Sequence, residues 1–344
     1  MSPFATSSVR RDRSINSFLV ILLAGLLAGC AGPAPTDASP IVLAGPTASA
    51  VWTASAVAAT KTPTQSPSPS IPTAIATGDP ISRGDLEGRI AFSYDDGVWV
   101  SDANGGHRRQ LTHDGGFDPT FSPDGSRIAY RLLLAADDGE IWVMDAAGGH
   151  RHDLVNDPDF SDWGPAWSPD SSEIAYDSNR RVGIAIWLMQ ADGSNQRIVT
   201  RSHGEYPSWS PDGRRLAYSG GSYYDVHVVD ADGSDDVAIT TSPAYDMGPA
   251  WSPDGAWIAY HTQADSYPAL GEPGQGPEME IHLVRFDGSD DHRITVDQVE
   301  DSFPAWSPDS RLLMWSRHGE LVVARSDGSG MVDIGPGNFP SWIP

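Results

Sequence analysis

The pentapeptide Trp209-Ser210-Pro211-Asp212-Gly213 decides the fold of this chain, because four near-copies of it recur along the sequence. They stand at residues 121–125, 167–171, 251–255 and 306–310. The five serines of these copies are 46, 42, 42 and 55 residues apart. A period of about 40–45 residues is typical of the four-stranded blades of a β-propeller.

Each repeat divides into four short strands, A to D, separated by turns. Strand A is Pro-x-Trp-Ser, and Ser-Pro-Asp-Gly is a tight turn in which proline presets φ and glycine tolerates the left-handed position. Ser171 and Ser310 replace that glycine, at a modest backbone cost. Strand B follows, as in residues 215–218, and then the nearly all-apolar strand C, as in residues 186–189. An Asp-Gly hairpin turn, such as 192–193, leads into a short strand D.

The incomplete repeats at the two ends of this region complement one another. Residues 89–112 supply strands B, C and D without an A, whereas residues 339–344 copy residues 206–211 and supply an A alone. The C-terminal strand therefore closes the ring, which removes exposed sheet edges. The sequence predicts an all-β, six-bladed propeller of four-stranded blades over residues 83–344.

These repeats resemble the TolB-type, WD-like β-propeller repeat family. The resemblance covers residues 88–344 and rests on the five Trp-Ser-Pro-Asp-Gly copies and the complementary end fragments. It implies the propeller fold, but one fold hosts many functions.

The amino terminus has the pattern of an exported lipoprotein. A basic start is followed by a short apolar run, residues 18–27, which predicts a secretory signal peptide over residues 1–29. The segment ends Leu27-Ala28-Gly29-Cys30, which resembles the bacterial lipobox and implies acylation of Cys30. Two or more acyl chains give stable membrane anchoring. Residues 30–82 are rich in Ala, Pro, Ser and Thr, and this composition predicts a disordered tether.

Composition narrows the possible partners. Lys and Arg number 22 against 46 Asp and Glu, so the formal net charge is −24. This balance argues against nucleic acid and against binding an anionic lipid surface, which leaves the lipid anchor as the only membrane contact. Cys30 is the single cysteine, so no intrachain disulfide is possible. We expect a monomer.

Catalytic motifs are missing from the sequence. No Gly-x-Ser-x-Gly elbow is present, and the ten histidines do not cluster, so we expect no enzyme activity and assign no catalytic residue. The leading hypothesis is a protein or peptide recognition module in the cell envelope, facing outside the cytoplasm. The alternatives are a carbohydrate-binding or metal-dependent carbohydrate-active propeller, and a structural protein without a ligand.

Strand parity separates two faces of the ring. The A-to-B turns, which hold Ser-Pro-Asp, and the C-to-D turns share one face, here called the turn face. The B-to-C and D-to-A loops share the opposite loop face, where the largest insertion, residues 265–278, lies. We therefore predict a partner surface on the loop face, formed by Arg180, Arg181, Tyr223, Tyr224 and Tyr267.

Acidic residues are frequent in the segments between strands D and A. The segments run from the rim to the channel, so we expect several carboxylates to converge at its mouth. Converging carboxylates repel one another unless a cation joins them. The sequence therefore predicts a site for a divalent cation such as Ca²⁺, or for a basic peptide group, at Asp118, Asp162, Glu205, Asp246 and Asp301. The plain alternative is a set of solvated acidic loops.

Overall fold

The computed structural model describes residues 81–344, apart from 136–137, 158, 182, 242, 264–278 and 298. The described residues form six four-stranded antiparallel sheets, preceded by a 3-10 helix at Arg83–Asp85. This confirms the predicted six-bladed propeller. Cys30, the signal segment, the tether up to residue 80 and the loop at 265–278 with Tyr267 lie outside the described residues.

The first three blades have their strands in the order A to D from the tunnel outward. Blade 1 contains β24 (Asn338–Ile343), β1 (Arg89–Tyr94), β2 (Gly97–Asp102) and β3 (Arg109–Gln110). Blade 2 contains β4 (Gly116–Phe121), β5 (Arg127–Ala135), β6 (Asp138–Asp145) and β7 (His152–Asp153). Blade 3 contains β8 (Asp162–Trp167), β9 (Glu173–Arg181), β10 (Gly183–Gln190) and β11 (Arg197–Ile198).

The other three blades repeat this order. Blade 4 contains β12 (Gly204–Trp209), β13 (Arg215–Gly220), β14 (Asp225–Asp230) and β15 (Val237–Ala238). Blade 5 contains β16 (Asp246–Trp251), β17 (Ile258–Thr262), β18 (Glu280–Val284) and β19 (His292–Arg293). Blade 6 contains β20 (Asp301–Trp306), β21 (Leu312–Arg317), β22 (Glu320–Arg325) and β23 (Val332–Pro336).

The C-terminal strand closes the ring as the sequence predicts. β24 pairs antiparallel with β1, with Ile90 opposite Trp342. Trp342 is buried and packs with Ile90 and Phe92 of its own blade and with Met314 of blade 6. Closure therefore joins the two ends of the described chain through both hydrogen bonds and apolar packing.

The hydrophobic core lies between adjacent blades. One apolar cluster fills each of the six junctions, as where Ile141 of blade 2 packs with Tyr176 of blade 3. Strand-A tryptophans also bridge blades: the indole Nε1–H of Trp167 donates to the Thr120 carbonyl at 3.3 Å, and that of Trp209 to the Ala166 carbonyl at 3.1 Å. These two bonds tie blade 2 to blade 3 and blade 3 to blade 4 along the tunnel wall.

The Ser-Pro-Asp turns tolerate serine in place of glycine at a left-handed position. Ser171 and Ser310 both have a φ of 61°. Each Oγ accepts a hydrogen bond from the preceding blade, Ser171 from the Asp124 N–H at 3.3 Å and Ser310 from the Asp254 N–H at 3.0 Å. The inter-blade hydrogen bond offsets part of the backbone cost that the sequence predicts.

Over the described part of the chain, no helix has the length and apolar character needed to cross a membrane.

Candidate functional site

The A strands of blades 2 to 6 begin three residues earlier than the sequence indicates. Each A strand is six residues long, as in Gly204–Trp209, and the residue before its proline is the third of the strand in blades 2 to 6 and the second in β24. The residue before the proline has a left-handed backbone in all six blades, with φ between 50° and 61°, and the pairing with strand B shifts register around it. Bulges of this kind re-aim side chains. The six residues concerned are Asp118, Gly164, Tyr206, Gly248, Phe303 and Phe339.

These six residues close one end of a cavity in the central tunnel. The cavity has a volume of about 500 Å³ and extends to the turn face, where the prolines of the Ser-Pro-Asp turns line its mouth. Its wall is formed by the Pro-x-Trp segments of the A strands, such as Pro304-Ala305-Trp306. We call the six residues that precede the A-strand prolines, together with the two side chains described next, the tunnel floor.

Two glycines in this ring make room for side chains from strand B. A Cβ at Gly164 would lie 2.5 Å from Oδ1 of Asp177, and a Cβ at Gly248 would lie 2.8 Å from Cε1 of His261. Asp177 and His261 are both buried. They fill the space that a side chain at position 164 or 248 would otherwise occupy, so they complete the floor.

Polar side chains of strand B hold the floor in place across the blade junctions. The Tyr206 N–H donates to Asp177 Oδ1 at 3.3 Å, and the Phe303 N–H donates to His261 Nδ1 at 3.3 Å. Ser219 plays the same part for the Gly248 N–H at 3.1 Å. The floor is therefore positioned by contacts between consecutive blades, not by any single repeat.

The floor is acidic on the side of blades 2 to 4. Asp118 Oδ2 lies 3.3 Å from the Arg131 guanidinium. Burial raises the pKa of Asp118, and the charge of Arg131 opposes that rise. Burial also raises the pKa of Asp177 well above its ordinary value, and the nearby charges of Glu205 and Asp118 raise it further. Two carboxyl groups, those of Asp118 and Asp177, thus share the charge of one guanidinium.

Aromatic rings form the other side of the floor, from blades 5, 6 and 1. The Phe303 ring centroid lies 4.1 Å from that of Phe339, 4.8 Å from that of His261 and 5.6 Å from that of Tyr206. Burial lowers the pKa of His261 to about 3, so this imidazole is neutral at physiological pH. The tunnel therefore ends on a surface that is charged on one side and apolar on the other.

The five predicted cation ligands do not form one group. Asp118 is part of the floor and Glu205 stands beside Tyr206 in the chain, but Asp162, Asp246 and Asp301 are buried inside three separate blades. Their placement in D-to-A loops was wrong, because all five lie in the longer A strands. Asp162 accepts from Arg180 at 3.0 Å, Asp246 from Thr262 Oγ1 at 2.5 Å, and Asp301 from Trp315 Nε1 at 2.8 Å and Arg317 at 3.0 Å.

Within the described ranges, no group of three or more His, Cys, Asp or Glu side chains is placed to hold a metal ion. The cation site stays a prediction.

The predicted partner surface is only partly exposed. Tyr223 and Arg181 are exposed, whereas Tyr224 is half-buried and makes edge contacts with His203 and Tyr245. Arg180 was wrongly placed on this surface. Its side chain is only 9% exposed, because it pairs with Asp162 inside blade 3.

Arg131, Asp177 and His261 were not predicted as site residues. Each stands in the middle of strand B, where the repeat pattern indicates only a packed position. One signal was available in the sequence: Gly164 and Gly248 precede the A-strand proline where the other blades have larger residues. A missing side chain at this position of the repeat indicates that a side chain from another strand fills the space.

A closed ring of six four-stranded blades around a narrow tunnel defines the class of six-bladed β-propellers. The family model described as the TolB β-propeller domain matches residues 90–270, more than half of the chain. The chain therefore belongs to the TolB-type β-propeller family.

Three solved structures share the fold. TolB from Acinetobacter baumannii is 18% identical with a TM-score of 0.63, and the match covers 76% of this chain and 68% of that one. A putative TolB from Agrobacterium tumefaciens is 20% identical with a TM-score of 0.58, covering 75% and 98%. The tricorn protease is 16% identical with a TM-score of 0.56, covering 73% of this chain and 25% of that one.

The buried carboxyl groups predict an unusual pH dependence of stability. Burial raises the pKa values of Asp162 and Asp301 to about 6, so between pH 4 and 6 the folded state binds more protons than the unfolded state. The free energy of unfolding should therefore fall as pH rises through this window, by about 3 kcal/mol per group. Serine hydrogen bonds lower the pKa values of the turn residues Asp124 and Asp170 to about 2, so stability should also fall below pH 4.

Urea unfolding followed by tryptophan fluorescence from pH 3 to pH 8 measures this curve, with its maximum expected near pH 4 to 5. The Asp162→Asn/Asp301→Asn double variant should flatten the slope between pH 4 and 7. A free energy of unfolding that increases from pH 5 to pH 7 would contradict the assignment.

Proposed function

We propose that this protein is a recognition module for a protein or peptide partner, and that the central tunnel is where it binds. The observation that carries this proposal is the cavity of about 500 Å³ that opens on the turn face and ends on the tunnel floor. Ligand pockets in proteins usually have volumes of about 300–1,000 Å³ and combine apolar walls with a few placed polar groups.

The wall of this cavity suits an extended peptide. Proline rings and half-buried small residues such as Thr120, Ala166 and Ala305 alternate around it, and tryptophan–carbonyl bonds fix the neighbouring blades. A rigid site loses little conformational freedom when a ligand enters, which favours affinity. An extended segment can place its side chains against the prolines while its leading group reaches the floor.

We infer binding without catalysis. Asp177 is buried and accepts from the Tyr206 N–H, Asp118 faces Arg131 through Oδ2, and the sequence holds no nucleophile elbow. The lipobox at Cys30 and the Ala/Pro/Ser/Thr-rich residues 31–82 support an exported module that is lipid-anchored to the envelope and faces outside the cytoplasm.

A variant that fills the tunnel tests the proposal. Ala305 is half-buried and lines the cavity, so Ala305→Phe should narrow it; Ala147→Phe, at an exposed C-to-D turn, is the matched control. Random peptides displayed on phage would be selected on the propeller, and the enriched peptides measured by calorimetry. Ala305→Phe should weaken their binding at least tenfold, whereas Ala147→Phe should leave it unchanged.

Equal binding to both variants would overturn the tunnel as the recognition site. Glycan binding on an array, without any enriched peptide, would favour the carbohydrate alternative.

A further inference from the structure

The tunnel floor has two chemically different halves, and this division specifies what it can bind. We infer that the floor is a receptor for a primary ammonium group carried beside an apolar group, as at the amino terminus of a peptide or on a lysine side chain. The inference rests on the proposed peptide-binding function and names the ligand chemistry of the same tunnel.

Asp118 supplies the acceptor. Its side chain is only 10% exposed and lines the cavity. One oxygen, Oδ2, faces Arg131 at 3.3 Å, whereas the other, Oδ1, is buried and has no hydrogen-bond partner among the described residues. A buried acceptor without a partner costs free energy, so a donor that reaches it is bound favourably.

The charge around Asp118 also favours a cation. The charges of Glu205 and Asp118 add to the burial that raises the pKa of Asp177, and Arg131 is the cation that the structure places beside Asp118. Glu205 is itself held by His203 Nε2 at 2.9 Å. An incoming positive charge would stabilise the ionised carboxylates in a site where water does not screen them.

The geometry favours an ammonium group over a metal ion. Calcium takes six to eight oxygen ligands, and the described residues offer no group of three suitable side chains. An ammonium group is compact and donates three hydrogen bonds, so one or two carboxylates are enough to bind it. The rings of Tyr206, Phe303 and Phe339 complete the floor and can contact the apolar group next to it.

Phenethylammonium and its neutral analogue 2-phenylethanol are the probes that test this inference by calorimetry. Phenethylammonium should bind the wild type at least about tenfold more tightly than the alcohol, because it adds a charge-assisted hydrogen bond. Asp118→Asn should remove this difference. Asp235→Asn, at an exposed left-handed turn position that asparagine tolerates, should retain it.

The peptides Phe-Gly-Gly-Gly, N-acetyl-Phe-Gly-Gly-Gly and N-acetyl-Phe-Lys-Gly-amide then distinguish an amino terminus from a lysine as the source of the ammonium group. Binding of either amine-bearing peptide with loss on Asp118→Asn supports the inference. Equal affinity for phenethylammonium and the alcohol overturns it, as does stabilisation by Ca²⁺ alone. Neither result changes the outcome expected of the Ala305→Phe test. Failure of this inference can therefore be distinguished from failure of the proposed peptide-binding function.

Discussion

Removal of residues 338–344 is expected to abolish cooperative folding of the propeller. These residues form β24, the only strand that covers the inner edge of β1 in the described ring. Without it, Ile90 and Phe92 lose Trp342 at the junction of blades 6 and 1. Burying one large apolar side chain contributes about 1.5–3 kcal/mol, and the total stability of a domain is only about 5–15 kcal/mol. The free energy lost with Trp342, Ile343 and a whole ladder of strand hydrogen bonds therefore approaches the total stability of the domain.

Circular dichroism during heating and size-exclusion chromatography measure this effect. The truncated chain should show no cooperative transition and should elute as aggregate, because β1 then presents an open edge. Ser341→Ala is the matched control: it removes the hydrogen bond from the Phe121 N–H, 3.1 Å long, and should cost only about 1 kcal/mol. A truncated chain that melts like the full chain would contradict closure by β24.

The number of blades and the closure could be predicted from the sequence because both depend on local, repeated chemistry. Each Ser-Pro-Asp turn is stabilised within itself, as where Ser122 Oγ donates to Asp124 Oδ1 at 2.6 Å. The resulting motif is short, contiguous and visible in every copy. The missing A strand before residue 89 and the isolated A strand at 339–344 then identify the partners of the closing sheet without any knowledge of three-dimensional contacts.

The tunnel floor could not be predicted in the same way, because it depends on register between different blades. Asp177 reaches the floor only because Gly164 of its own blade leaves space and Tyr206 of the next blade supplies an N–H donor. These three residues are separated along the chain, and no spacing rule connects them. The repeat pattern shows Asp177 merely as a polar residue in a strand.

The same dependence on contacts between strands explains why the acidic residues predicted at the channel mouth do not form one group. Asp162 and Asp301 were grouped because both were assigned to D-to-A segments, the equivalent connections of their repeats, which run from the rim to the channel. Their actual partners, Arg180 and Arg317, lie 18 and 16 residues further along the chain, on the adjacent strand of the same blade. Antiparallel pairing brings these charges together before any approach to the tunnel, so equivalence between blades did not mean proximity.

The sequence and the structure also indicate different faces of the ring as the binding surface. The variable loops predict binding on the loop face, whereas the cavity of about 500 Å³ opens on the uniform turn face. The uniform repeats form this cavity, because equivalent segments, Pro-x-Trp in five blades and Pro-x-Phe in blade 2, surround a central hole. A residue that is invariant between repeats for packing reasons can therefore also line a binding site.

Gly248→Ala is expected to destabilise the protein by about 2–5 kcal/mol. A left-handed backbone costs alanine about 1–2 kcal/mol, and φ here is 61°. The new Cβ would also lie 2.8 Å from Cε1 of His261 and 3.3 Å from Cδ1 of Phe303. Overpacking of a filled interior costs a further 1–3 kcal/mol, roughly, because buried side chains must leave their preferred rotamers.

Gly213→Ala separates the backbone cost from the packing cost. Its φ is 68°, but the nearest atom to its Cβ would be Pro169 Cδ at 3.7 Å, an ordinary contact. Urea unfolding should therefore show a loss of only about 1–2 kcal/mol for this variant. Adding His261→Ala to each background completes the comparison: truncation of the imidazole should recover stability in Gly248→Ala and only lose it in Gly213→Ala, because only residue 248 competes with the ring for space. If the two glycine variants lost the same stability, the floor would not be packed as the structure has it, and His261 would not be the side chain that fills the gap at residue 248.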